Sequence, residues 1–292
     1  MTNLPTEPSR IVSFKYLVYH DRFKTEKPYR INKLDPSNVI PVTNMEFEER
    51  SGAQLTDLRG HLDYLDLERD SFKFMEYPSQ VDLKNDIESL REYCHETIQL
   101  VKQELNPERV ICYEVLFRHS EARSTTSTRK NSVPIEQVHI DHTVDGGRYR
   151  IKHHLTEDED KLYTNGEWRW RIVNVWRPLV PKVEDMPLAM CDPRTVNKED
   201  VIDTDQVGPY YSGEMCYLRY NEEQRWYWLS GQTRDEVCVF VCYDTHPPTE
   251  TPNCCPHASF RDETAPKNAH PRESVELRFI VLSRLPNRHH RT

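Results

Sequence analysis

The sequence predicts a mainly β fold with flanking helices, arranged as a double-sheet jelly roll. Three observations carry that prediction. Short runs of β-branched and aromatic residues recur along the chain, Pro, Asn, Asp and Gly stand between them, and only one long segment keeps a helical period. A chain of 292 residues, 36% hydrophobic and with 15 Tyr, 9 Phe and 5 Trp, has material for one large core. We expect a single domain over 1–292, with a β/helical extension to about residue 108 and the core over about 109–285.

The elements follow in order. Ile11 to Tyr19 and Phe72 to Tyr77 read as strands, so the region before the helix is mostly β. From Leu83 the apolar positions become Ile87, Leu90, Cys94, Ile98, Val101 and Leu105, which lie on one helical face; Asn106-Pro107 ends that helix. Val110 to Phe117 reads as a buried strand. Ser120 to Ser132 is then rich in Ser, Thr and Arg, with Ala122 its one small apolar residue before the next strand, and reads as a loop and a substrate lid. Further strands are expected at Glu136 to Ile140, Trp168 to Trp176, Met215 to Tyr220, Arg225 to Leu229, Val237 to Tyr243 and Ser274 to Leu282, with Pro-rich connections over 178–187 and 247–271.

Bulk properties remove several function classes. The formal net charge is −9 and the basic residues form no single patch, which argues against a nucleic-acid partner. No stretch approaches the roughly 18 apolar residues of a membrane span, and MTNLPTEPSR has no apolar signal region, so the expectation is a soluble cytoplasmic protein with no membrane partner. The eight cysteines are scattered and expected to be reduced thiols. Cys254-Cys255-Pro256-His257 lacks the CxxC spacing of a zinc site. GxGxxG, GxxxxGK[ST] and GxSxG are absent, and with them the usual signals of dinucleotide, P-loop and α/β-hydrolase chemistry.

The chemistry is expected in Val138-His139-Ile140-Asp141-His142. Two residues apart on a strand, His139 and Asp141 project from one face with Cα atoms about 7 Å apart. With a second imidazole from a distant strand they make the facial triad of non-heme iron(II), which leaves positions open for a 2-oxo acid and dioxygen. His61-Leu62-Asp63 has the same spacing but lies in the charged stretch Asp57 to Asp70, expected to be a solvated surface; His139 follows an apolar run and opens onto an expected Gly146-Gly147 turn. Of His246, His257 and His270, His257 is preferred as third ligand because Arg272-Glu273-Ser274 follows at a spacing suited to gripping the distal carboxylate of 2-oxoglutarate. Arg278 shares a strand face with Ser274 and is the rival for that carboxylate.

Several segments in the right order carry a resemblance that covers most of the chain. They are Asp57-Leu58-Arg59-Gly60, His139-Ile140-Asp141-His142-Thr143, Asn174-Val175-Trp176-Arg177-Pro178-Leu179, Pro187-Leu188-Ala189, His257-Ala258-Ser259-Phe260 and Pro271-Arg272-Glu273-Ser274-Val275-Glu276-Leu277-Arg278. Together they resemble the fungal AsaB-type hydroxylase/desaturase family, which is related to gibberellin desaturase and the cephem-methoxylase subunit family. The resemblance implies a double-stranded β-helix core, an Fe(II), 2-oxoglutarate and O2-dependent dioxygenase of secondary metabolism, metal ligands His139, Asp141 and His257, and Asn174 and Arg177 as active-site neighbours that bind cosubstrate or substrate. The structural alternative for the Asn174 to Arg177 strand is a core Trp and an arginine paired with an acid; Trp226, Tyr227 and Trp228 read as core.

The implied reaction removes hydrogen from an unactivated C–H of a small molecule, and an aspartate at position 141 disfavours halogenation, which needs that ligand position vacant. Hydroxylation, desaturation, epoxidation and ring closure share the first step and are not separated by any residue pattern. Two other classes compete: a non-catalytic jelly-roll binding module, and a metal-dependent hydrolase in which the same ligands activate water. No heptad pattern selects an oligomeric state, and a homodimer is left open.

Overall fold

The strands over Trp168–Pro178, Glu236–Asp244 and Glu273–Arg284 are buried along nearly their whole length, so both faces of the sheet they form have something to pack against. The fold comes from a computed structural model that describes residues 4–32, 41–84, 86–121, 131–209, 211–247 and 254–286. In chain order its strands are β1 (Arg10–Leu17), β2 (Tyr29–Ile31), β3 (Phe47–Asp57), β4 (Phe72–Glu76), β5 (Arg109–His119), β6 (Asn131–Ser132), β7 (His139–Ile140), β8 (Trp168–Pro178), β9 (Leu188–Cys191), β10 (Val201–Val207), β11 (Gly213–Leu218), β12 (Trp226–Trp228), β13 (Glu236–Asp244), β14 (His257–Ser259) and β15 (Glu273–Arg284). The α-helices are α1 (Leu67–Asp70), α2 (Ile87–Leu105), α3 (Val144–His153) and α4 (Glu157–Tyr163).

The strands form a nine-stranded sheet in the order β1-β3-β12-β9-β14-β7-β11-β10-β2 and a six-stranded sheet in the order β4-β13-β8-β15-β5-β6. This mostly β, jelly-roll-type arrangement is the predicted fold class. Strands from the first 108 residues lie in both sheets: β1 and β3 are at one edge of the larger, β4 at one edge of the smaller.

Period two sorts the side chains of the smaller sheet. Ile172 and Trp176 of β8, Phe240 and Cys242 of β13 and Ile280 of β15 face the larger sheet and pack with Met190 and Tyr227. Val173, Val175, Val239, Leu277, Phe279 and Val281 face the other way and pack against Tyr93, Leu100, Val101 and Leu105 of α2. The predicted stripe on α2 is what the sheet needs to cover its outer face. Asp86 caps the start by accepting from Ser89 N, and Asn106, at φ 40, adopts the left-handed C-cap before Pro107 ends the helix.

Three expectations are corrected. Gly146 and Gly147 do not make a turn; they lie in the first turn of α3, where Thr143 Oγ1 accepts from Gly146 N at 2.9 Å. Their small size serves close packing, because a Cβ on Gly146 would stand 2.8 Å from the Glu214 carbonyl oxygen and one on Gly147 2.3 Å from the Tyr243 ring. The 247–271 region is not connection throughout: it contains β14, in the middle of the larger sheet. The stretch from Asp57 to Asp70 is not a plain solvated surface, since Leu58, Leu65, Leu67 and Asp70 are buried, Asp70 between Arg69 and Arg194. Of the expected lid, residues 122–130 lie outside the described residues, and Asn131–Ser132 forms β6, parallel to β5. Trp226, Tyr227 and Trp228 are buried, as expected of core.

Candidate metal centre

The central pairing of the larger sheet builds the site. β14 runs antiparallel to β7 with His257 opposite His139, which sets the two imidazoles side by side with ring centroids 4.3 Å apart. Asp141 follows β7 on the face of His139. One ligand atom from each of His139, Asp141 and His257 lies within 4.8 Å of the others, and among the described residues this is the one such group of three or more His, Cys, Asp or Glu. His246 and His270 are exposed and outside it; the His61/Asp63 pair, half-buried Cys254 and buried Cys255 also lie outside it.

Both imidazoles are oriented by the backbone. His139 Nδ1 meets the Gln137 carbonyl at 2.8 Å and His257 Nδ1 meets the Cys255 carbonyl at 3.0 Å, each two residues back along the chain, just before its strand. A carbonyl can only accept, so each Nδ1 carries the proton and each Nε2 lone pair is left for a metal. Burial first, and then His257, push His139 down to about 3, so it stands neutral. Burial opposes the charge on Asp141, but Arg278 and the nearby imidazoles outweigh it and hold the carboxyl well below the usual carboxylate range.

Asp141 is held from the opposite sheet. Its Oδ2 accepts from Asn174 Nδ2 at 2.7 Å and from Cys242 Sγ at 3.4 Å, while Oδ1 lies 3.7 Å from His139 Nε2 and 3.2 Å from Arg278 Nη2. One oxygen is thus tied down and the other turned toward the imidazoles. Arg278 also donates through Nε to Glu276 at 2.8 Å and lies 3.5 Å from Glu114, so carboxylates surround it already.

Arg272 is in a different condition. It is 1% exposed, stacks 5.5 Å over the Trp176 ring, and donates through Nη1 to Met186 O at 2.6 Å and Ser259 Oγ at 2.7 Å. Its Nε is buried without a partner, and so is the Oγ of Ser274, two residues on in β15. No carboxylate forms an ion pair with it among the described residues. Burial, reinforced by the nearby Arg118 guanidinium, pushes Arg272 down to about 9, as befits a buried cation without a counter-ion. Ser259 lies two residues along β14 from His257, on the same face, so this cradle and the imidazole share a strand.

The structure brings together His139, Asp141, His257, Asn174 and Arg278, and sets Arg272 and Ser274 beside the same strands. It does not bring Arg177 to them. Arg177 is an odd number of residues from Asn174 on β8 and points to the α2 side, where Nε donates to the Tyr93 hydroxyl at 2.9 Å and Nη1 to the Arg234 carbonyl at 2.6 Å. The contacts that Arg177 makes in this structure are structural ones, apart from the His-Asp-His group. The sequence reasoning overlooked Ser259 and Glu276, although both lie in the quoted segments at period two from His257 and Arg278. Cys242, Arg118 and Tyr113, whose hydroxyl meets His142 Nε2 at 3.3 Å, carried no sequence signal.

The donor set fits a first-row divalent metal of the facial-triad kind: two imidazoles with Nε2 free, one ionised carboxylate, and unpaired buried donors nearby that suit a carboxylate. Residues 15–282 match the family described as Oxidoreductase/YMDC permease-like domain. The chain is similar to Fe(II)/2-oxoglutarate-dependent dioxygenase nvfI of Aspergillus novofumigatus, with 30% identity over 77% of this chain and 81% of that protein. It is similar also to hydroxylase/desaturase CTB9 of Cercospora beticola, with 25% identity over 95% of this chain and 92% of that one. Among solved structures it is similar to the iron and alpha-ketoglutarate-dependent endoperoxidase NvfI, with TM-score 0.81 and 25% identity over 96% of this chain and 100% of that chain. Among the described residues no helix is long and apolar enough to cross a membrane.

Proposed function

Because this chain belongs to the fungal family of Fe(II)/2-oxoglutarate-dependent dioxygenases that includes hydroxylase/desaturases, we propose that His139, Asp141 and His257 hold its iron, and that Arg272 and Ser274 seat the distal carboxylate of 2-oxoglutarate. The chain is an oxygenase that uses iron(II), 2-oxoglutarate and O2 to oxidise a small-molecule secondary metabolite. The observation that carries the residue assignment is the pairing of a buried His-Asp-His set with a buried guanidinium whose Nε lacks an acceptor and a buried hydroxyl without a partner.

Bound iron with 2-oxoglutarate and O2 supplies the oxidising power for hydrogen removal from a substrate carbon, with decarboxylation of the 2-oxo acid to succinate. The protein's own part is positional. The Gln137 and Cys255 carbonyls set both imidazoles, and Asn174 with Cys242 fixes Asp141 Oδ2 so that Oδ1 faces the metal position. Between the rival arginines we assign the carboxylate to Arg272, because Arg278 is occupied by Asp141, Glu276 and Glu114. Arg278 then serves to keep Asp141 ionised. The buried walls, Trp176 and Phe240 among them, exclude bulk water. We place the enzyme in the cytoplasm, where its eight free thiols stay reduced.

The test is turnover of 2-oxoglutarate to succinate by the purified protein. It should require both iron(II) and O2 and be lost in Asp141→Ala. Turnover of a substrate that persists without O2 would instead mark a hydrolase.

A further inference from the structure

Beyond the metal and its cosubstrate, the least explained group near the site is Arg150. It sits on α3, which follows His142 directly and packs on β11 and β8, one strand from each sheet. Its guanidinium carbon lies 3.7 Å from the centroid of the Tyr211 ring and 5.5 Å from that of Tyr113. Its Nε is buried with no partner, and among the described residues no carboxylate pairs with it. His154 repeats the pattern: its ring lies 5.1 Å from Tyr113, and its Nε2 is also buried without a partner. Tyr149 and His153 extend the aromatic surface around Tyr211, at centroid distances of 5.8 and 5.6 Å.

Tyr113 links this cage to the reaction site. Its hydroxyl meets His142 Nε2 at 3.3 Å, and His142 is the neighbour in sequence of Asp141.

A guanidinium lying over one phenol ring and beside a second has lost much of its freedom, and its edge presents a planar fork of N–H donors. Such an edge matches one ligand chemistry best, a carboxylate bound in the plane of the fork. The surrounding tyrosine and histidine faces match a flat unsaturated ring next to that carboxylate. From this we infer that Arg150, caged by Tyr113 and Tyr211, is the substrate-recognition residue, and that the substrate is a carboxylic acid borne on a flat, unsaturated ring system. The inference rests on the proposed function and supplies its substrate class.

The probes are benzoate, 2-naphthoate and indole-3-acetate, each compared with its primary amide by calorimetric titration of the protein under anaerobic conditions with iron(II) and 2-oxoglutarate. At least one acid should bind wild type roughly tenfold or more tightly than its amide, the scale of a charge-assisted fork. Arg150→Gln should erase that difference, and Arg150→Lys, which keeps the charge but not the fork, should recover part of it. Unfolding curves for both variants check that they fold; if Arg150→Gln does not, the wild-type comparison and Arg150→Lys decide. If no acid is preferred over its amide in wild type, or if the preference survives in Arg150→Gln, the assignment is overturned. The visible iron–2-oxoglutarate band, recorded on the same wild-type samples, separates the two ideas: a missing band counts against the proposed function, and an intact band with no acid preference counts against the cage alone.

Discussion

Asn174 and Asp141 meet across the gap between the two sheets, with the side-chain amide of Asn174 donating to Asp141 Oδ2 at 2.7 Å. Asn174 is fully buried, and its backbone lies between β13 and β15, so its position is fixed by the most extensively paired part of the smaller sheet. The proposed metal site is therefore a contact between sheets, assembled only when both are in place.

Removing that contact should loosen the metal and spare the fold. Asn174→Ala is expected to weaken iron(II) binding about 10- to 100-fold, the usual cost of losing a partner that orients a metal ligand. Anaerobic equilibrium titration measures it; unchanged affinity would show that Asn174 does not position Asp141.

The two arginines of β15 and its approach should fail differently. Arg272→Gln is expected to raise the concentration of 2-oxoglutarate needed for half-saturation by roughly 10- to 100-fold while leaving iron binding intact, since it removes a charge-assisted bond to the cosubstrate. Arg278→Gln is expected to weaken iron binding, because it uncouples Asp141 from its counter-charge. Parallel titrations of both ligands against both variants would reveal a reversed pattern if the roles are exchanged.

Arg177→Gln should behave as a stability variant. Losing the bonds to the Tyr93 hydroxyl and the Arg234 carbonyl is expected to cost about 1–3 kcal/mol. Denaturant unfolding measures that loss, and the half-saturating 2-oxoglutarate concentration of the folded fraction should match wild type. A changed half-saturation at unchanged stability would return Arg177 to the active site.

Gly147→Ala should also destabilise, by about 1–3 kcal/mol, because the added methyl meets the Tyr243 ring and α3 must shift to admit it. A variant as stable as wild type would show that α3 seats loosely.

Metal and cosubstrate should stabilise the chain together. Manganese(II) accepts the same nitrogen and oxygen donors, and with 2-oxoglutarate at about a hundred times its dissociation constant the added stability is about 2.7 kcal/mol. A rise in melting temperature that chelator reverses, and that is missing in Asp141→Ala, is the expected result. A rise that survives in Asp141→Ala would locate binding elsewhere.

Much of this was legible in the residues, and the exceptions have physical reasons. An even spacing along extended chain sets His139 with Asp141, two apart, and, on β15, Ser274 with Arg278, four apart, because side-chain direction is fixed by the pleat. The same rule separates Asn174 from Arg177, three apart on β8, so residues that one motif joins in sequence face opposite sides of the sheet. Gly146 and Gly147 signal a turn when only local conformation is considered, yet their reason lies in Glu214 and Tyr243, distant in sequence. The strand carrying His257 is three residues long among prolines, too short for any periodicity, and exists because β7 and β9 flank it. Cys242 and Tyr113 have no local mark at all, since what makes them site residues is the way the sheets face each other.

The most direct test of the central claim is an anaerobic titration of the metal-free protein with iron(II) and then 2-oxoglutarate, following the weak visible charge-transfer band of the iron-bound 2-oxo acid in wild type and His257→Ala. The account predicts a saturable band in wild type and none in the variant at the same concentrations. No band in iron-loaded wild type, or an undiminished band in His257→Ala, would contradict it.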